Sequence, residues 1–404
     1  MLLKWLKWMM IFAGFFTVLF LVMHWDVKHG AKSYTRTHPM TETLSHNATI
    51  DIYNTGKSFY EDLFKDIENA KGHIWIHFFI IRDDKVSNEF FDLLIEKARK
   101  GVDVRLSVDF LGSDIEKDTI HKMEKGGVEI VKSRSISMKN AFYSLHHRNH
   151  RRLISIDEDI AYIGGFNMGD EYLGKDPKFG YWRDYHIRLS GNAGSEVYQQ
   201  FKRDWLEDGG SSIKSIQLHY SSEENNEGNV HFIFSTGETL VNKTIDWINE
   251  AKESVTITTP YFIPNKNLVT ALKRAVKRGV EVNILVPDDT DAWFTKPPSY
   301  QIEKDLLEKG VNLYLYQKGF FHGKIIVVDH AWADVGTANW DPRSFYLNDE
   351  SNCIIRDEAA ARKLESFIEK DMKDSEKLTE KAFEEIPVWE KALQRTPKWL
   401  YYYF

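Results

Sequence analysis

Two stretches of this chain carry the same pattern of residues 172 positions apart, and any fold it adopts has to use both. The downstream copy reads Phe321-His322-Gly323-Lys324-Ile325-Ile326-Val327-Val328-Asp329, then Gly336-Thr337-Ala338-Asn339, with Ser344 and Glu350 following. The upstream copy sets His150, Arg152 and Asp157 at the same His-x-basic-x4-Asp spacing, and Gly164-Gly165-Phe166-Asn167 where the other has Gly336 to Asn339. Each asparagine lies 17 residues after its histidine. The run from Lys324 to Val328 is β-branched enough to be a buried strand, and alternation along it sends His322 and Lys324 out of one face. Asp329 has the opposite parity and reads as a structural residue at the strand end. A lone histidine in an apolar strand is ordinarily a satisfied core residue. Two of them with matching basic and asparagine partners point to one site assembled from both copies.

The duplication extends beyond the motifs. Ile67-Glu68-Asn69-Ala70-Lys71 matches Ile248-Asn249-Glu250-Ala251-Lys252, and Arg99-Lys100-Gly101-Val102-Asp103-Val104 matches Lys277-Arg278-Gly279-Val280-Glu281-Val282. Strands alternating with helices of about ten residues predict an α/β fold of two similar halves, each a mostly parallel sheet flanked by helices. The halves are expected at 48–207 and 230–356, joined by a Gly-, Ser-, Asn- and Glu-rich linker at 208–229. A charged helix from Glu358 to about Glu385, broken at Asp374-Ser375, then leads to an aromatic tail, Trp399 to Phe404, within a last segment of 357–404.

Residues 5–25 are expected to cross a membrane. From Trp8 to Trp25 only Thr17 and His24 are polar, tryptophans mark both ends, and the length is near the ~20 residues needed to span hydrocarbon. A cleaved signal peptide is the rival, weakened by the length of the run and the lack of a small-x-small cleavage site. Lys4, Lys7 and the amino terminus balance Lys28, Lys32 and Arg36, so charge sets no orientation. Residues 26–47 are polar and aperiodic and read as a tether. The aromatic tail is read as a second interfacial contact.

The doubled motif resembles the phospholipase D superfamily. The run from Arg148 to Asp157, continuing Ala161 to Gly174, is similar to bacterial cardiolipin synthases. The resemblance implies a single active site at a pseudo-twofold axis, with His150, Arg152, Asp157, His322, Lys324 and Asp329 as catalytic residues. It places Asn167, Asn339 and Ser344 on the substrate, and Asp184 and Glu350 as the acids that orient the histidines. The family pattern has lysine where Arg152 stands; arginine keeps the charge but brings a bulkier fork. His146 and His147 are extra and are expected in the loop before the motif.

The chemistry suits those residue types. A phosphodiester must be neutralised before a nucleophile approaches, and its charge held as phosphorus passes through five-coordination. Two basic residues and two asparagine amides supply this without a metal or other cofactor. One histidine can attack while the other protonates the departing oxygen. The implied reaction joins two phosphatidylglycerol molecules into cardiolipin and glycerol. A hydrolase, a transphosphatidylase using another alcohol, a nuclease and an inactive lipid-binding module are the alternatives. A net charge of −7 argues against a nucleic-acid partner. The expected partner is the phospholipid of a cell membrane, and nothing in the sequence fixes an oligomeric state. Cys353 is the only cysteine, so no intramolecular disulfide forms.

Overall fold

Alternation along two short strands, Leu153–Ile156 and Ile325–Val328, divides their side chains between different cores. Ile154 and Ile156 pack under the helices of the first half, and Ile326 and Val328 under those of the second. Leu153, Ile325 and Val327 face a third core, shared by the halves. These positions come from a computed structural model, which describes residues 2–404 except Asn47, Glu158, Asn192, 214–228, 292–294, 395–402 and Phe404.

The first sheet runs, edge to edge, Thr49–Tyr53, His186–Ser190, Ile160–Gly164, Leu153–Ile156, His73–Phe78, Asp103–Asp109, Glu129–Ser133. The second runs Thr41–Ser45, Val230–Thr236, Asp349–Ile355, Trp332–Gly336, Ile325–Val328, Ser254–Thr258, Glu281–Pro287, Asn312–Tyr316, Ser375–Lys377. The helices Gly56–Asn69 and Lys85–Arg99 cover the outer face of the first sheet, and Thr239–Glu250 and Lys266–Lys277 that of the second. The inner faces meet each other and the helices Gly194–Glu207 and Glu358–Lys373.

The two similar α/β halves match the expectation, but the sheets are mixed. Within these two sheets, parallel pairing is confined to the three strands joined by crossover helices in each half. The remaining pairs of the two sheets are antiparallel. The reason is connection length: only residues 157–159 join Leu153–Ile156 to Ile160–Gly164, enough for a hairpin and far too few for a crossover.

Three boundaries also differ from the sequence reading. The N-terminal helix continues through Leu2–Thr37, so 26–37 is no tether. Buried Asp26 accepts from the backbone N–H of Phe142 and Tyr143 at 2.9 and 3.0 Å, and Gly30 lies so close to the Tyr143 ring that a Cβ would meet it at 2.4 Å. Val27, Ala31 and Tyr34 continue an apolar stripe from Met23 onto Tyr143 and Leu347, but Lys28, His29, Lys32 and Arg36 between them make the stretch read as polar. Residues Thr41–Ser45 pair with Val230–Thr236, so this strand belongs to the second half's sheet. After Lys373 the chain forms the edge strand Ser375–Lys377 and a short 3-10 turn, Glu380–Phe383, instead of continuing as helix. The linker reading falls mostly outside the described residues, but Asp208 takes hydrogen bonds from Arg134 and Ile213 is buried, so its start is docked. The tail likewise lies outside them except Tyr403, whose hydroxyl meets His24 Nδ1 at 2.9 Å.

The motif aspartates act inside their own halves. Asp157 and Asp329 both sit at φ 51°. Asp157 accepts from the N–H of Lys71, Gly72 and His73 at 2.6–2.9 Å. Asp329 accepts from Lys252, Glu253 and Ser254 at 2.7–3.0 Å. Each ties the end of the first helix to the start of the next strand. Asp329→Ala should therefore destabilise the protein by ~2–3 kcal/mol, through lost charge-assisted hydrogen bonds and alanine at a left-handed position. Denaturant unfolding measures the loss, and an unchanged midpoint would refute this structural role.

Candidate active site

The two histidine segments are stitched to the opposite half by their backbones before any side chain is considered. His150 N–H donates to Asp349 O at 2.9 Å, and His322 N–H donates to Arg183 O at 2.7 Å. Trp182–Arg183 and Phe320–Phe321 form a two-stranded parallel pair across the halves. In both cases the accepting residue precedes a carboxylate, so the carboxylate arrives beside the imidazole. His150 Nδ1 meets Glu350 at 2.9 Å, and His322 Nδ1 meets Asp184 at 2.6 Å. Each half's histidine is thus oriented by the other half's acid, and Nε2 is the nitrogen left to each for chemistry.

Both histidines line one cavity of about 270 Å³. Arg152, Asn167 and Asn339 line it too. Arg152 donates from Nε to Asn167 Oδ1 at 3.0 Å and from Nη1 to His150 O at 2.7 Å. Asn167 is committed on both ends of its amide, taking Arg152 and Ile80 N–H on its oxygen and giving its nitrogen to Tyr172. Asn339 has its carbonyl oxygen buried with no partner among the described residues.

Several expected residues lie elsewhere. Lys324 stands behind His322, its Nζ 2.8 Å from His322 Nδ1 and also bonded to His322 O, and it does not line the cavity. Ser344, read as a substrate contact, is instead buried support: its hydroxyl accepts from Asn339 N–H at 3.1 Å and bonds to Glu350. Asp157 and Asp329 are absent from the cavity wall, as their helix-to-strand bonds require. His147, read as a loop residue, is buried and 3.1 Å from Asp349.

The motif glycines have a steric cause. A Cβ on Gly165 would fall 2.0 Å from the Asp184 carboxylate. The second half has Thr337 there and exploits the side chain, whose hydroxyl donates to Glu350 at 2.6 Å. Gly165→Ala should displace Asp184 and lower turnover while its Thr337 counterpart tolerates serine; equal activities in a steady-state assay would overturn that.

Sequence reasoning missed Arg343, which lines the cavity and donates to His146 O at 3.0 Å. The signal was available: Asp341-Pro342 is an N-cap followed by proline at the first helical position, which places residue 343 in a first turn beside Asn339. It also missed three carboxylates in the wall, Glu171, Asp291 and Asp341.

Burial and neighbouring cations shape the protonation states. Burial, then Lys324, lowers His322 to about 4, and burial with Arg152 and Lys324 holds His150 well below the ordinary range. Burial alone would raise Asp184, but Lys324 and His322 pull it below its ordinary value. Burial lowers Lys324 to about 7. Burial raises Glu350 to about 7, against Thr337 and Ser344, which lower it. These shifts favour the neutral form of both imidazoles, and a phosphodiester anion beside them would make the proton easier to hold. If protonated Lys324 is needed, kcat/KM should fall as pH rises through about 7. Lys324→Arg should move that limb to higher pH; a pH–rate profile with the limb unmoved would assign it to another group.

Comparison with known proteins gives the family. The family described as "Cardiolipin synthase, PLD-like domain" matches residues 63–205 and 244–372. The major cardiolipin synthase ClsA of Bacillus subtilis (strain 168) is 39% identical over 353 residues, covering 84% of this chain and 72% of that protein. The probable cardiolipin synthase YwiE of the same organism is 36% identical, covering 84% and 69%. Among solved structures, phosphatidylserine synthase of Haemophilus influenzae Rd KW20 superposes with a TM-score of 0.68 at 16% identity, over 92% of this chain and 97% of that one, a likeness of fold. The chain belongs to the cardiolipin synthase family of phospholipase D-like phosphatidyltransferases.

Proposed function

We propose that the protein transfers a phosphatidyl group from one phosphatidylglycerol to the terminal hydroxyl of another, giving cardiolipin and glycerol, through a phosphohistidine. The observation that carries this reading is the pair of crossed histidine–carboxylate contacts around one cavity. Two imidazoles fixed by acids from opposite sides suit a double displacement, in which attack and departure occur on opposite faces of one phosphorus.

His150 is the nucleophile in this reading. Its strong depression keeps Nε2 unprotonated, as attack requires. Burial and Lys324 lower His322 to about 4, so it gains its proton in this reading only when the substrate anion binds, and ionised Asp184 then stabilises the imidazolium of a general acid. The Nε2–phosphorus bond of His150 forms as the bond to the glycerol oxygen breaks, and His322 gives its proton to that oxygen. His322 then takes the proton of the acceptor hydroxyl, the acceptor oxygen attacks phosphorus, and His150 departs neutral. Arg152 and Arg343 hold the phosphoryl oxygens throughout. Asn339 contributes its amide.

The helix Leu2–Thr37 is long and apolar enough to cross a membrane, and in this reading it is a single-pass anchor to the cell membrane. That brings the cavity to lipids presented by the bilayer. His150→Ala and His322→Ala should each lower turnover at least about a thousandfold. EDTA should leave the wild type active, because arginines supply the charge neutralisation. Thin-layer analysis of lipid products from phosphatidylglycerol checks both statements. Inactivation by EDTA with recovery on adding a divalent ion would sink the mechanism, and a phosphohistidine trapped on His322 would exchange the roles.

A further inference from the structure

We propose that the cleft between the juxtamembrane turns of the N-terminal helix and the second half binds one anionic diacyl phospholipid, at a site separate from the catalytic cavity. The cleft holds about 1020 Å³, the upper end of what ligand sites of ordinary size enclose. Its helix wall presents Lys28, Lys32 and Arg36, spaced four apart and therefore in one stripe. All three are exposed, and no described carboxylate pairs with any of them. One acidic side chain, Glu238, is among the described residues of the wall.

The stripe begins three residues past Trp25, where the apolar run ends, at the level where lipid phosphates lie. An apolar wall adjoins it: Ala31 and Tyr346 are partly exposed in the cleft, backed by Val27 and Leu347, which are buried against Tyr143. A phosphate on the basic stripe and acyl chains along the apolar edge would match both kinds of wall. A free anion would match only one. The cleft is built, because Asp26 and Gly30 fix the helix against the first half.

The position of the cleft gives it a link to catalysis. Tyr346 and Leu347 form its far wall, while Pro342, Arg343 and Asn348, on the same short segment, line the catalytic cavity. A lipid in the cleft would lie against the segment that carries Arg343 and Ser344. It would form a store of anionic lipid one chain segment away from the histidines.

The test uses the full chain in detergent micelles, carrying His322→Ala so that nothing turns over. Dioleoyl phosphatidylglycerol or dioleoyl phosphatidylcholine is titrated, and bound lipids are counted by mass spectrometry of the intact complex. The expected result is one phosphatidylglycerol lost, or its Kd weakened at least about tenfold, when Lys28→Gln, Lys32→Gln and Arg36→Gln are combined. Lys28→Arg with Lys32→Arg should retain it, phosphatidylcholine should not replace it, and millimolar inorganic phosphate should not displace it. Unchanged stoichiometry in the glutamine variant, or equal binding of phosphatidylcholine, overturns the proposal. Should the glutamine variant fail to fold, the arginine variant and the phosphatidylcholine comparison decide. Turnover is scored separately on the wild type, so failure to make cardiolipin would overturn the proposed reaction and leave this binding result standing.

Discussion

The rest of the active site depends on an exchange between the halves: each histidine takes its backbone partner and its orienting acid from the other half. Asp349 and Glu350 serve His150, and Arg183 and Asp184 serve His322. Neither half alone has an oriented imidazole, so the duplicated unit is a working site only when joined. The shared core behind the site, with Leu153, Ile187, Phe232, Val327 and Val335 all buried, makes that joining favourable. Each such side chain contributes on the order of 1.5–3 kcal/mol when fully buried. Hydrophobic contact supplies the association, and the exchanged hydrogen bonds supply the register.

A buried ionic network lies behind His150. Asp349 is approached by Arg134 at 2.7 Å and by His147 at 3.1 Å, and Arg151 donates to Asp204 at 2.8 Å and to Glu350 O at 3.1 Å. Burial would raise Asp349, but Arg134, His147 and Arg151 hold it well below the ordinary carboxylate range. Taking so many charges from water costs several kcal/mol per ion before pairing offsets it, so such a network is a poor device for stability alone. Its geometry instead fixes residues 349 and 350 against 148–151, where small errors would separate Glu350 from its histidine. Tyr34 on the N-terminal helix also reaches Asp349, at 3.4 Å. The helix that carries the apolar run therefore touches the network directly.

The sequence made the doubled motif, the crossover units and the apolar span legible because each leaves a periodic or repeated trace. His150 and His322 stand out from the repeat, whereas Asp184 and Glu350 follow only from the family resemblance, and which acid faces which histidine has no local signature because the pairing crosses the halves. Arg152 was legible as a departure from the pattern. The structure shows the two basic residues in unlike places, Arg152 on the cavity wall and Lys324 behind His322. Ser344 and Asp157 were misplaced because their hydrogen bonds run to backbone and to neighbouring acids, which residue identity does not reveal. The segment 26–47 reads as a tether for a different reason: its packed stripe is only Val27, Ala31 and Tyr34, continuing Met23 among charged and polar neighbours, and the rest of its anchorage comes from Asp26, Gly30 and one edge strand.

Under the proposed anchoring, that segment changes how the enzyme would meet a bilayer. From Trp25 to Thr37 the helix rises ~18 Å at 1.5 Å per residue, without interruption. A flexible leash of the same length would let the catalytic domain tumble and sample lipids at many heights and angles. A helix bolted to the domain by Asp26 and Gly30 works as a post instead. On the proposed anchoring, the cavity would stand at one height and one tilt above one leaflet, and lipids would come to it by lateral diffusion in that leaflet. Substrate capture would then become a two-dimensional search, governed by the lipid composition around the post.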